Sequence, residues 1–403
     1  MSAINFIKAA VACACVYFLV SCAATPANVS RKQIFSPKVY TINAPAAGNY
    51  PQGLYKYPYR ERYVTHQWQL FTQTLKWSPA AAKTFAANTQ YTATLTLEPA
   101  GKDYTFKGTE LGDVSGLPQD GVENITVEVE GENLVIKIVF EKTAAQNAAP
   151  KIIFEDNFEG NSLDYTKWEP CPEWDRQGRS SWRDDMISVS GGYLRIKYKR
   201  DVELGREKAP TNKALADNWI RSGAVGTMRK DNQNIKWDNT FGWYESRFKI
   251  PKQSGAWGGF WLMSPTLHIE TGRSEMGAEI DILETINSQH GKYNGALHWN
   301  GYGDNGIGLF HDTYQPVDIY DGEFHTFALD WSPSEYVFYV DGVEFWRVDG
   351  GARFKNGGIN QNPNYLMLSM EGAEYLGLLP EGFTEDEMLV DYVRVYNQPK
   401  IVK

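Results

Sequence analysis

Cysteine is scarce in this chain: four among 403 residues, at positions 13, 15, 22 and 171. The first three fall in the leader described below, so Cys171 alone would remain, which excludes an intramolecular disulfide. Positive charge is also short. Forty Lys and Arg stand against 49 Asp and Glu, for a net charge of −9, and that balance excludes nucleic acid as a partner because phosphate binding needs a basic footprint. It also fits poorly with sulfated or uronic-acid polymers. Long apolar runs are absent: the stretch from Ala9 to Val20 is too short to span a bilayer. No internal repeat stands out. Aromatic residues and glycine, by contrast, are plentiful, with 13 Trp, 23 Tyr, 19 Phe and 36 Gly. That load, with apolar residues alternating at period two, suits an all-β protein that handles sugars.

Lys8, the apolar run and Leu19-Val20-Ser21-Cys22 read as a signal peptide over residues 1–22. Leu-Val-Ser-Cys resembles a bacterial lipobox, which implies lipidation of Cys22 and a lipid-anchored protein of the cell surface or outer membrane, touching the membrane only through that anchor. Residues 23–37 are small and polar, a tether. From 38 to 143, alternating runs such as Ile125-Thr-Val-Glu-Val-Glu and Leu134-Val-Ile-Lys-Ile-Val-Phe predict a small antiparallel β-sandwich, and this stretch resembles the immunoglobulin-like modules of bacterial surface proteins. Tyr55, Tyr57, Tyr59, Tyr63 and Trp68 make it either a spacer or a polysaccharide binder. Residues 144–150 are a linker, and a second all-β domain follows over 151–398.

The densest chemistry lies at 279–284, Glu-Ile-Asp-Ile-Leu-Glu. Three carboxylates in an otherwise apolar strand are costly unless they are used, since burying an unpaired charge costs several kcal/mol. On a strand Glu279 and Asp281 share one face while Ile280 and Ile282 take the other. Glu284 has the wrong parity, and one residue bulged out near Leu283 would return it to the same face. Two glutamates flanking an aspartate is the layout a retaining glycosidase needs, with nucleophile and acid/base carboxyls about 5–5.5 Å apart. Trp257 and Trp261, four apart, share a strand face ahead of this motif; His298 and Trp299 follow it. Aromatic faces beside carboxylates suit a sugar cleft.

Residues 151–397 resemble glycoside hydrolase family 16, in its bulged branch of laminarinases, mixed-linkage glucanases, agarases and carrageenases. The resemblance rests on Ile-Phe-Glu-Asp-Asn-Phe-Glu-Gly-Asn-Ser-Leu-Asp from 153, Phe-Gly-Trp-Tyr-Glu-Ser-Arg-Phe-Lys-Ile-Pro from 241, the 279–284 strand, Phe-His-Thr-Phe-Ala-Leu-Asp-Trp-Ser-Pro from 324, Val-Phe-Tyr-Val-Asp-Gly from 337 and Val-Asp-Tyr-Val-Arg-Val-Tyr from 390. It implies a β-jelly roll of two stacked sheets, with Glu279 as nucleophile, Glu284 as general acid/base and Asp281 between them. No cofactor is needed for that reaction. The resemblance also implies sugar contacts from Trp257, Trp261, His298 and Trp299, and outer ones from Arg221 and Trp219. A structural Ca2+ held by Asn157, Gly192 and Asp391 is a further implication, weakened by Asn157 standing where many relatives carry glutamate.

These readings converge on a monomeric, endo-acting, retaining hydrolase of β-1,3 or mixed β-1,3/1,4 glucan. Two rivals stand. One is an agarase- or carrageenase-type galactan hydrolase, for which Arg176, Arg179 and Arg183 could hold sulfate; the other is a non-catalytic glucan-binding protein of the cell surface.

Overall fold

The computed structural model describes residues 31–400, apart from 35, 61–68, 177, 229–234, 253–254, 270, 287–290, 312–314, 352–353 and 355–356. The leader with Cys22, and Tyr63 and Trp68, lie outside the described residues.

The amino-terminal part forms a five-stranded antiparallel sheet. Its order in space is Leu54–Arg60, Gln69–Ser78, Gln90–Pro99, Asn133–Lys142, Val122–Glu130. Period two decides its inner face: Tyr91, Ala93, Leu95 and Leu97 are buried, with polar neighbours between them. The opposing layer is a two-stranded parallel ribbon, Lys32–Gln33 beside Tyr104–Thr105, with Ile34, Val39, Ile42 and Phe106 packed into the same apolar cluster.

The larger part is a two-layer β-structure. One layer has eleven strands, running from Asp175–Arg176 at one edge to Val343–Asp349 at the other. The other has seven and carries the site. Six of these are labelled here in chain order: β1 (Ala224–Gly226), β2 (Ala256–Met263), β3 (Ala278–Glu284), β4 (Asn294–Trp299), β5 (Ile307–His311) and β6 (Tyr365–Gly372). In space they run β5-β4-β3-β2-β6-β1, with Glu169–Pro170 closing the edge. Between the layers lies one large apolar cluster, to which the seven-stranded sheet gives Phe260, Leu262, Ile280, Ile282, Leu297, Leu366 and Leu368, and the eleven-stranded sheet gives Tyr244, Phe248, Leu329, Phe338 and Val393. Each fully buried Ile or Leu contributes about 1.5–3 kcal/mol by leaving water, so Ile280 and Ile282 anchor β3 and turn its alternate side chains to the far side of the sheet. Among the described residues α-helix is confined to two short pieces, Val202–Lys208, capped by Asp201, and Lys213–Ala216.

Candidate active site

The expected bulge is present in β3. Against β4 the register runs Asp281 to Ala296 and then Glu284 to Asn294, three steps on one strand against two on the other. Against β2 it passes from Trp261 opposite Asp281 to Phe260 opposite Leu283, leaving Ile282 without a partner. Ile282 and Leu283 are both fully buried. The extra residue flips the parity after Asp281, so Glu279, Asp281 and Glu284 line one cavity of about 490 Å³.

Burial governs the electrostatics. It pushes the Glu279 carboxyl up to about 7, opposed by the hydrogen bond donated by the Tyr302 hydroxyl and by Arg176, and assisted by Glu371. Glu284 is pushed up to about 8, by burial first and then by the charges of Glu279 and Glu371, while the Asn294 amide donates to its Oε2 at 3.1 Å. Asp281 is raised well above the ordinary carboxylate range by burial and by both glutamates. Like charges so close cannot all ionise, and the protons stay on the groups with fewest donors. Burial lowers His298 to about 4. Its Nε2, 3.6 Å from Asp281 Oδ2, therefore faces a protonated acid as a neutral imidazole. One ligand atom each from Glu279, Asp281 and His298 lies within 4.8 Å of the others, the one such grouping among the described residues.

Trp257 and Trp261 both line the cavity, as their spacing predicts, yet each is almost buried. The Trp261 indole donates to Ser369 Oγ at 3.1 Å, and Ser369 donates to Glu371 Oε1 at 3.2 Å. The exposed aromatic surface comes from residues the sequence reading did not single out: Tyr302 (49 % exposed), Phe310 (63 %) and Tyr375 (63 %). Arg176 and Glu371 also line the cavity.

Three expected sugar contacts lie elsewhere. Trp299 follows His298 on β4, so alternation turns it into the core, where it packs against Phe354. Trp219 is buried with Ala209 and Ala216 at the helical corner and donates to Ser181 Oγ. Arg221 pairs with Asp185 and Asp201. None of the three borders the cavity. Cys171 is buried, and its thiol is pushed up by that burial, which removes the thiolate a nucleophile needs.

The residues expected to hold calcium do not fit it as they stand. Strand pairing does bring Asn157, Gly192 and Asp391 to one region of the eleven-stranded sheet. However, Asn157 Oδ1 accepts from Arg394 Nη2 at 2.8 Å, and Asp391 Oδ2 accepts from Arg247 Nη1 at 2.5 Å. Guanidinium groups thus take Asn157 Oδ1 and one oxygen of the Asp391 carboxylate, and their positive charges stand where a hard cation would have to sit.

Residues 182–394 match the profile of glycosyl hydrolases family 16. Glucan endo-1,3-beta-glucosidase A1 of Niallia circulans is 23 % identical over 270 residues, 62 % of this chain and 38 % of that protein. A beta-glucanase of Rhodothermus marinus is 25 % identical over 268 residues, 61 % and 85 % of the two chains. A keratan-sulfate endo-1,4-beta-galactosidase of Sphingobacterium multivorum is 27 % identical over 265 residues, 62 % and 56 % of the two. The X-ray structure of an endo-beta-1,3-glucanase from Pyrococcus furiosus superposes with a TM-score of 0.50 at 23 % identity, over 62 % of this chain and 96 % of that one. It shares the fold, the β-jelly roll.

Proposed function

The chain belongs to glycosyl hydrolases family 16, and from that premise we propose that it is an endo-acting, retaining β-glucanase cutting β-1,3 or mixed β-1,3/1,4 glucan. The observation that carries this reading is the bulge at Ile282–Leu283, which sets Glu279 and Glu284 on one face of β3, lining the same cavity. The family's pattern makes Glu279 the nucleophile, and the Tyr302 hydroxyl donates a hydrogen bond that favours its ionised form. Glu279 attacks the anomeric carbon as the bond to the leaving oxygen breaks, and Glu284 gives that oxygen its proton. Water then attacks the glycosyl-enzyme carbon, Glu284 takes its proton, and Glu279 leaves as carboxylate. Asp281, protonated between them, keeps the two ionisation states apart. The chemistry needs no cofactor, and the open groove edged by Tyr302, Phe310 and Tyr375 suits internal sites in a polymer.

The choice of a neutral glucan is supported by the arginines. Arg176 is paired with Glu371, Arg179 is buried and donates to the carbonyls of Gly255 and Gly377, and Arg183 faces Glu173 and Asp175. None is left over for a sulfate. A β-galactoside polymer is the second reading, favoured by the likeness to the Sphingobacterium enzyme. The Leu-Val-Ser-Cys motif supports surface anchoring through Cys22.

The test is reducing-sugar release from laminarin, barley mixed-linkage glucan, xyloglucan, agarose, carrageenan and keratan, with Glu279→Gln alongside. Glucan cleavage abolished by that substitution is the expected result. Cleavage of a galactan alone transfers the same mechanism to the second reading, and binding without cleavage of any polymer overturns both.

A further inference from the structure

We propose that the amino-terminal unit is part of the catalytic scaffold and that its Tyr55, acting through Asn362, fixes the strand that carries Glu279, Asp281 and Glu284.

Tyr50 lies in the unit that precedes the five-stranded sheet, yet it is buried in the core cluster of the jelly roll, and its hydroxyl donates to the buried Asp330 Oδ1 at 2.8 Å. Lys83 reaches the same carboxylate at 2.8 Å and Glu335 at 3.0 Å. The Tyr40 hydroxyl donates to Asp238 at 3.0 Å. A tethered module that binds glycan by itself has no need to lend a tyrosine to its neighbour's core. Removing that side chain would leave a cavity and strip the buried Asp330 Oδ1 of its hydroxyl donor, with Lys83 still on Oδ2.

The contact at Tyr55 reaches furthest. Its backbone N–H donates to Asn362 Oδ1 at 2.7 Å, and its carbonyl accepts from Asn362 Nδ2 at 2.9 Å. The same Nδ2 donates to the carbonyl of Met276 at 2.8 Å. Asn364 Nδ2 donates to the carbonyl of Ala278, the first residue of β3, at 2.8 Å, and Asn360 bridges the other two asparagines. All three amides are fully buried, so each bond stands in low dielectric where its loss costs about 1–3 kcal/mol. The ladder joins the amino-terminal backbone at one end to the start of β3 at the other. Gly53 lets the two segments approach: a Cβ there would lie 2.8 Å from the Gln361 carbonyl and 2.9 Å from the Phe241 ring. Asn362 is accordingly a positioning residue, distant from substrate.

The experiment uses the full chain. Thermal melting of the wild type is followed in both units, and amide exchange of residues 276–284 is compared among wild type, Asn362→Ala and Gly53→Val, with Lys107→Ala, exposed on the amino-terminal unit, as a control. One shared melting transition is expected, with faster exchange at 276–284 in both ladder variants but not in the control. Their kcat is expected to fall about tenfold with KM within about twofold, since small displacements of catalytic groups act on the transition state. If Gly53→Val does not fold, Tyr50→Phe probes the same interface. An amino-terminal unit that melts separately, or ladder variants with wild-type exchange, would overturn the proposal. Exchange requires no substrate, so this result is independent of which polymer is cut.

Discussion

Glu371 holds the Arg176 guanidinium at the wall of the cleft, Nε to Oε2 at 2.9 Å and Nη2 to Oε1 at 3.5 Å, while the guanidinium lies 4.5 Å above the Trp182 ring. The pair sets the field felt by the catalytic carboxyls. Glu371 raises Glu279, Asp281 and Glu284, and Arg176 lowers all three. Glu371→Gln removes the raising charge and keeps the lowering one. Both limbs of the kcat/KM profile should then move to lower pH. The support passed to Trp261 through Ser369 also weakens, so kcat/KM at the optimum should fall about ten- to a hundredfold. A profile that stays in place would show that the pair only braces the cleft.

Glu284→Gln should raise stability while abolishing hydrolysis. The folded-state pKa of Glu284 is about 8, above its ordinary 4.5, so the folded chain binds the extra proton. Its penalty therefore sets in as pH passes the ordinary value and is complete above the folded one, so stability falls as pH rises between the two. An amide carries no such penalty. The melting temperature of Glu284→Gln should exceed that of the wild type by about 2–4 °C near pH 8, with the gap closing toward pH 5. A gap that widens toward acid pH would contradict the protonation assigned here.

Much of this site is legible in the sequence for a definite reason. A strand with two isoleucines facing one way must turn its carboxylates the other way, and the parity of Glu284 then demands a bulge. The same alternation applied to β4 would have sent Trp299 inward once His298 was placed outward. Glu371 carries the signal that exposed Glu279, a carboxylate within the apolar run Tyr365–Gly372, and it lies opposite Trp257 in register. Tyr302, Phe310 and Tyr375 gave no such signal, because their exposure depends on how separate segments meet at the cleft. The docking of the amino-terminal unit was equally invisible: Tyr50 and Asp330 are 280 positions apart.

Trp299 and Phe310 should separate core from platform. Trp299→Ala removes a side chain packed in the main core, and such truncations cost about 3–5 kcal/mol. Phe310→Ala, at the exposed rim beside His298, should leave the melting temperature within about 1–2 °C and raise KM on polymer with kcat less affected. Chemical denaturation and steady-state kinetics of the two variants check both expectations. A KM effect without a stability loss in Trp299→Ala would return that residue to the cleft.

Arg394 occupies ground where calcium was expected. Its Nε donates to Glu155 Oε1 at 2.7 Å, its Nη2 to Asn157, and its guanidinium lies 4.1 Å from the Tyr392 ring centre. Incubation with a chelator should therefore leave the melting temperature unchanged. Arg394→Ala should lower stability by about 1 kcal/mol, because the pair is partly exposed. A fall in melting temperature on chelation, restored by Ca2+, would show that a cation displaces the guanidinium.

His325 gives stability a second pH dependence, of the opposite kind from a paired aspartate. Its Nδ1 lies 2.7 Å from Asp341 Oδ2 and its Nε2 2.9 Å from Asp321 Oδ1, with the ring almost buried on the strand His325–Trp331. Burial alone would lower its pKa, but the hydrogen bonds to Asp341 and Asp321 and their charges outweigh that and raise it above the ordinary 6.5. A group whose folded pKa is raised stabilises fully below the unfolded value and loses that contribution as pH climbs through the folded one. His325→Gln should thus melt below the wild type at pH 5.5, with the difference shrinking steadily as pH passes above 6.5 and largely gone in the alkaline range. Melting curves of both proteins across that range decide the point. A constant difference at every pH would mean that the ring acts by packing, with its charge making no contribution.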